Sequence, residues 1–134
     1  MELMKVYSTT IAAFGAMAFL MLCQVVVADV IALREKHLPG SQIPSDHNNL
    51  LFRVSRTVAN TNETVAIFAF SALFCVLSGV SASTAAYASW AYVVARFLYA
   101  VCYYLNLQLL RSAMFGVSLF SIAALLVAGA SKWL

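Results

Sequence analysis

The sequence predicts an all-α integral membrane protein that folds as a four-helix up-down bundle. Its 134 residues are 63% hydrophobic and only 10% charged, whereas soluble domains carry about 25% charged residues. One crossing of a hydrocarbon core about 30 Å thick takes about 20 helical residues, so four crossings would use most of the chain. Short connections between the apolar segments favour antiparallel neighbours. We therefore expect a single transmembrane domain over residues 1–134.

Four apolar segments define the predicted spans, which cover residues 6–33, 50–80, 84–109 and 111–133. The first has no charged residue between Lys5 and Asp29, and it is longer than the apolar core of a usual signal peptide. Both prolines and both histidines lie in residues 34–49, which have the composition of a loop. Small polar residues at 78–83 separate the second span from the third, and Arg111 begins the fourth.

The distribution of basic residues predicts the orientation of the bundle. The first connection and its flanks carry Arg34, Lys36, Arg53 and Arg56. Arg111 lies at the third connection, whereas the opposite side has only Lys5 and Lys132. Cytoplasmic loops of membrane proteins are enriched in lysine and arginine. We therefore expect the first and third connections in the cytoplasm and both termini on the outside.

Other features of the composition argue against several classes of function. The net charge of +3 is spread along the chain, without the basic run that is typical of a nucleic-acid partner. Cys23, Cys75 and Cys102 lie in apolar segments and lack the spacing of a metal or redox site. His37 and His47 lie in the predicted loop with no clustered ligands. We therefore expect no metal site and no nucleic-acid partner.

Seven polar residues form two helical stripes inside the predicted spans. On helices they project into arcs of roughly 80° for the first stripe and roughly 60° for the second. Polar and charged side chains at membrane depth normally face a bundle interior or a watery cavity. The stripes therefore predict a polar site between helices. They consist of Arg53, Arg56, Asn60 and Glu63 in the second span, and of Arg96, Tyr99 and Tyr103 in the third.

The residue types of the first stripe suit a ligand with carboxylates and an amine. Arginine offers a planar fork for carboxylates, Asn60 offers a donor and an acceptor, and Glu63 suits an ammonium group. An ion-pair network that stabilises an assembly is the alternative, and spacing alone leaves both open. Arg111 could stabilise a thiolate or an oxyanion, or could anchor the cytoplasmic side. Ser112 beside it could also serve as a helix N-cap.

The order of these motifs resembles a known family. The pattern R-x3-N-x2-E at residues 56–63 is followed by R-x2-Y-x3-Y at residues 96–103 and by Arg-Ser at residues 111–112. This combination is similar to the family of membrane-associated proteins in eicosanoid and glutathione metabolism (MAPEG), and in particular to its microsomal glutathione transferase type. In length and number of spans, the resemblance covers nearly the whole chain.

The resemblance implies a homotrimer of four-helix protomers, with glutathione as cosubstrate between adjacent protomers near the cytoplasmic side. It implies that Arg111, with Ser112 beside it, performs the catalytic role. An arginine next to the thiol would favour the thiolate, which is the nucleophile. The residues expected to hold glutathione are Arg53, Arg56, Asn60, Glu63, Arg96, Tyr99 and Tyr103.

The expected function is a glutathione-dependent transferase or peroxidase that acts on hydrophobic electrophiles or lipid hydroperoxides from the bilayer. Thr64 and Phe115 stand where some family members have tyrosine, so the family's prostaglandin-type isomerisation is not predicted. One alternative is a non-catalytic lipid-binding or scaffold protein of the same fold. A small multidrug exporter is less favoured, because the first span has no acidic residue before Asp29, close to its end.

Overall fold

The computed structural model describes residues 2–134, and this part of the chain is helical with no β-strand. Four helices are long and apolar enough to cross a membrane. The shortest of them have 23 residues, or about 35 Å at 1.5 Å per residue. The prediction of an all-α, four-span protein is thus confirmed. The helices are α1 (Glu2–Val6), α2 (Ser8–Arg34), α3 (Leu50–Leu77), α4 (Ala82–Tyr104) and α5 (Gln108–Ala130).

The four long helices alternate in direction around a central pair. Helices α3 and α4 pack against each other, and each also contacts both α2 and α5. At one end of the bundle, the Tyr7 hydroxyl donates to the carbonyl of Val80, which joins the start of α2 to the α3–α4 turn. At the other end, the Arg53 guanidinium donates to the carbonyl of Tyr104. The start of α3 therefore lies beside the end of α4, as the predicted up-down arrangement requires.

The helix boundaries differ by a few residues from the predicted spans because of two left-handed residues. Gly79, with φ of 71°, follows the end of α3, and Asn106, with φ of 59°, follows the end of α4. Glycine and asparagine are the residues that adopt this conformation most readily after a helix. Helix α5 consequently begins at Gln108, with Leu107 as its N-cap. The alternative of Ser112 as an N-cap is therefore wrong, since Ser112 lies more than one turn inside α5.

The packed interior is formed mainly by α3 and α4. Phe68 and Tyr92 stack with their ring centroids 4.1 Å apart, and the Tyr92 hydroxyl lies 2.8 Å from the hydroxyl of Thr64. Thr64 thus provides the hydrogen-bond partner of a buried hydroxyl. Large apolar side chains such as Phe70 and Phe120 are exposed, as expected for surfaces in contact with hydrocarbon.

Candidate functional site

A polar cavity of about 260 Å³ opens between α3, α4 and α5. It lies at the end of the bundle where α3 begins and α4 ends, the same end as the first and third connections. Six of its lining residues belong to the predicted site, and Phe115 is the additional one. The lining consists of Arg56, Asn60, Tyr99, Tyr103, Arg111, Ser112 and Phe115.

Arg96 lies next to this cavity, in the interior of the bundle. Its side chain is 0% exposed. One guanidinium nitrogen, Nη2, donates to Asn60 Oδ1 and to Thr61 Oγ1, both at 2.9 Å. Both acceptors are neutral, and the remaining nitrogens Nε and Nη1 have no hydrogen-bond partner within residues 2–134. A buried cation is stable only when its charge and its donors are satisfied. Within the described residues, no anion compensates the charge of Arg96, and the guanidinium does not line the cavity itself.

Two tyrosines connect Arg96 with Arg111. The Arg96 guanidinium carbon lies 4.3 Å from the centroid of the Tyr99 ring, and the Arg111 guanidinium carbon lies 4.2 Å from that of Tyr103. The two tyrosine rings meet edge to face at 5.6 Å. Cation–π contacts of this kind contribute about 0.5–2 kcal/mol each. The aromatic pair thus fixes two guanidinium groups at separate positions beside one cavity.

Helix α5 contributes Arg111, Ser112 and Phe115 to the cavity. The Ser112 hydroxyl donates to the carbonyl of Gln108 at 3.1 Å, within its own helix. The Phe115 ring lies 6.2 Å from that of Tyr99, and it forms an apolar part of the wall. Residues four apart share a helix face, so the spacing from Arg111 to Phe115 was a signal that could have added Phe115 to the predicted site.

Glu63 extends the site along the exposed face of α3. Its side chain is exposed, and the Asn60 amide nitrogen donates to Glu63 Oε2 at 3.3 Å. Asn60 therefore contacts both Arg96 and Glu63, although Glu63 does not line the cavity. Thr61, the second partner of Arg96, was not predicted, because a threonine in a span gives no sequence signal for pairing with an arginine 35 residues away.

Arg53 has different partners from the other members of the stripe. Its Nη1 donates to the carbonyls of His47 at 2.7 Å and Asn48 at 2.9 Å, and its Nε donates to the carbonyl of Tyr104 at 3.3 Å. Asn49 caps α3 nearby by accepting from two backbone N–H groups. Arg53 thus joins the first connection to the end of α4, and it does not line the cavity.

A comparison with models of protein families gives a match. The model of the MAPEG family matches residues 9–131, a range that includes all the residues of the cavity and nearly all of the four long helices. The comparison with curated proteins gives no match. MAPEG proteins are membrane proteins associated with eicosanoid and glutathione metabolism. From the match over nearly its whole length, we conclude that this chain belongs to the MAPEG family.

Proposed function

We propose that the protein is a membrane glutathione transferase or peroxidase and that it binds glutathione in the cavity between α3, α4 and α5. The observation that carries the proposal is the buried cation of Arg96, which has two neutral partners and two guanidinium nitrogens without a partner. Arg96 is 0% exposed and does not line the cavity itself. An anionic ligand would therefore satisfy its charge and its unpartnered donors once the side chains that cover the guanidinium move aside.

The functional groups of glutathione suit the residues around the cavity. The tripeptide carries two carboxylates, an ammonium group and a thiol. Arg56 and Arg96 offer forked donors for the carboxylates, and Glu63, which already accepts from Asn60, suits the ammonium group. The tyrosines Tyr99 and Tyr103 provide an aromatic wall with hydroxyl donors.

A second protomer would complete the site, and we propose the homotrimer as the assembly. The cavity of about 260 Å³ in one chain is below the roughly 300–1,000 Å³ of typical ligand sites. Arg56 and Glu63 are also exposed on a helix that is able to span the membrane. Charged groups facing lipid are costly, so this face of α3 requires contact with another protein surface or with water.

In the proposed reaction, Arg111 stabilises the glutathione thiolate, and Ser112 lines the cavity beside it. The positive charge lowers the pKa of the bound thiol, and the proton passes to water at the open side of the cavity. In conjugation, the thiolate forms a sulfur–carbon bond with the electrophile, whose leaving group departs with the bonding electrons. With a lipid hydroperoxide, the thiolate sulfur bonds to the terminal oxygen as the O–O bond breaks, and the alkoxide that leaves takes a proton from water to become the alcohol. A second glutathione then reduces the sulfenic acid, which gives glutathione disulfide and water.

The proposed orientation places the cavity at the cytoplasmic side of the membrane. Arg34, Lys36 and Arg111 lie at the same end of the bundle as the cavity. The bias of cytoplasmic loops towards basic residues therefore favours this end as cytoplasmic. The apolar substrate would enter laterally from the bilayer.

Calorimetric titration of the detergent-purified protein with glutathione tests the proposal. We expect wild type to bind, Glu63→Gln to bind more weakly, and Arg111→Ala to bind without the ultraviolet absorbance of a thiolate. Lys132→Met, which removes a positive charge at the opposite end of the bundle, is the control and should bind as wild type does. No binding by wild type at millimolar glutathione would contradict the proposal. Binding without turnover of any electrophile or hydroperoxide would instead indicate a non-catalytic binding protein.

A further inference from the structure

A continuous groove runs between α2 and α4, away from the cavity described above. It consists of two adjoining hollows of about 310 Å³ and about 120 Å³. Leu20, Cys23 and Phe97 line both hollows, which makes them one groove. The larger hollow extends to Ala16 and Trp90 and is apolar. We refer to the two hollows together as the α2–α4 groove.

The smaller hollow contains two polar groups without a partner. Gln24 and Tyr104 both line it. Gln24 is only 3% exposed. Neither its amide nitrogen nor the Tyr104 hydroxyl has a hydrogen-bond partner within residues 2–134. Buried polar groups are nearly always hydrogen-bonded, and an unpaired one is costly. Both groups can donate, so the missing partner is a hydrogen-bond acceptor.

The α2–α4 groove opens at the outer surface of the bundle, between two helices that are able to span a membrane. On its rim, Phe19 is 68% exposed and Phe97 is 53% exposed. Both residues belong to helices of sufficient length and hydropathy for a span. The molecules next to such a surface are the lipids of the bilayer. An acyl chain is therefore the occupant with the appropriate chemistry for the larger, apolar hollow.

The position of the polar end also fits a phospholipid. Tyr104 is the last residue of α4, which places it near the boundary between hydrocarbon and headgroups, where the ester carbonyls of phospholipids lie. From Tyr104 to Trp90 the helix rises about 21 Å at 1.5 Å per residue. This length exceeds half of a hydrocarbon core about 30 Å thick, so the groove can hold a chain from one leaflet.

We propose that the α2–α4 groove binds one acyl chain of a glycerophospholipid, whose ester carbonyl accepts hydrogen bonds from Gln24 and Tyr104. The carbonyl supplies the acceptor that these two groups lack, and the chain fills the apolar hollow as far as Trp90. This lipid site is separate from the cavity between α3, α4 and α5. It would remain occupied whether or not glutathione is bound.

Native mass spectrometry with two phosphatidylcholines tests the role of the carbonyl. Dipalmitoyl phosphatidylcholine carries ester carbonyls, and its dihexadecyl ether analogue lacks them. We expect wild type to bind the ester lipid more tightly, by about threefold to tenfold for each of the two hydrogen bonds to the carbonyl. Gln24→Leu and Tyr104→Phe each remove one donor, and each should reduce or remove this preference for the ester lipid. Equal affinity of wild type for both lipids would overturn the assignment of the carbonyl.

A pair of matched substitutions tests the path of the chain. Ala16 lines the groove, whereas Ala18 lies on the exposed face of the same helix. Ala16→Phe should fill the hollow and weaken binding of dipalmitoyl phosphatidylcholine at least tenfold, and Ala18→Phe should bind as wild type does. Circular dichroism and thermal unfolding establish that both variants are folded. Equal binding by the two variants, or no retained phospholipid in wild type, would overturn the proposal and would indicate that another molecule or a second copy of the chain covers the groove.

Discussion

Replacement of Arg96 by methionine separates a ligand-binding cation from a structural one. Methionine fills a similar volume without the positive charge or the five N–H donors. In the folded protein, Nη2 donates hydrogen bonds to Asn60 and Thr61, whereas Nε and Nη1 have no hydrogen-bond partner within the described chain. The substitution therefore removes a buried charge that is incompletely compensated, together with two donors that have no partner in the structure.

The expected loss of glutathione affinity follows from those free donors. A hydrogen bond to a charged group contributes about 1.5–3 kcal/mol, and each 1.4 kcal/mol is a factor of ten in the dissociation constant. One lost contact should therefore weaken binding about 10- to 150-fold, and two should weaken it further. The stability of the ligand-free protein should change by no more than about 2 kcal/mol, because removal of an uncompensated buried charge offsets the cost of leaving the acceptors Asn60 and Thr61 without a donor.

Calorimetry with glutathione and thermal unfolding with and without the ligand measure these two quantities. Wild type should unfold at a higher temperature in excess glutathione, since a ligand at 100 times its dissociation constant stabilises by about 2.7 kcal/mol. Arg96→Met should lose most of that shift, whereas the control Tyr87→Phe, at an exposed position of the same helix, should retain it. If folded Arg96→Met bound glutathione as wild type does, the assignment of Arg96 as the anion-binding residue would be refuted.

Three further predictions concern the two ends of the bundle. Arg111→Ala should raise the pKa of the thiol of bound glutathione towards that of the free thiol, because the cation that stabilises the thiolate is lost. Ultraviolet absorbance of the thiolate as a function of pH measures this pKa, and an unchanged value would contradict the role of Arg111. Arg53→Met should lower the free energy of unfolding by about 2–4 kcal/mol, because three carbonyls lose a charged donor. If glutathione affinity fell at unchanged stability, Arg53 would be a ligand residue instead. Tyr7→Phe should destabilise by about 1–2 kcal/mol through loss of the bond to Val80, and denaturant unfolding that matches wild type would disprove that contribution.

The sequence determines the class of fold because the signals for a membrane helix are local. The lack of charge over residues 6–28 and 112–131 already selects a spanning helix, since a backbone in hydrocarbon must satisfy its own hydrogen bonds. The helix boundaries were less well predicted. Asn106 ends α4 by adopting a left-handed conformation, and an asparagine near a helix end permits this conformation without requiring it.

Much of the candidate site was predictable from helical spacing. Residues at intervals of three and four fall on one face, so the grouping of Arg56 with Asn60, and of Tyr99 with Tyr103, could be read from the sequence. The structure brings these four residues into one cavity with Arg111. The predicted glutathione ligand and the trimer remain predictions, because both involve molecules other than this chain.

Only the tertiary structure decided which arginine lacks a full set of hydrogen-bond partners. In the sequence, Arg53 and Arg96 are equivalent members of polar stripes. In the fold, Arg53 is held by three backbone carbonyls, whereas Arg96 is buried with two unpartnered nitrogens. The partners of a long side chain depend on how neighbouring helices rotate and where their ends meet, and these are properties of packing between distant segments. The sequence by itself therefore determined the helices and their polar faces, and the packing of those helices decided which of the polar groups have partners within the chain.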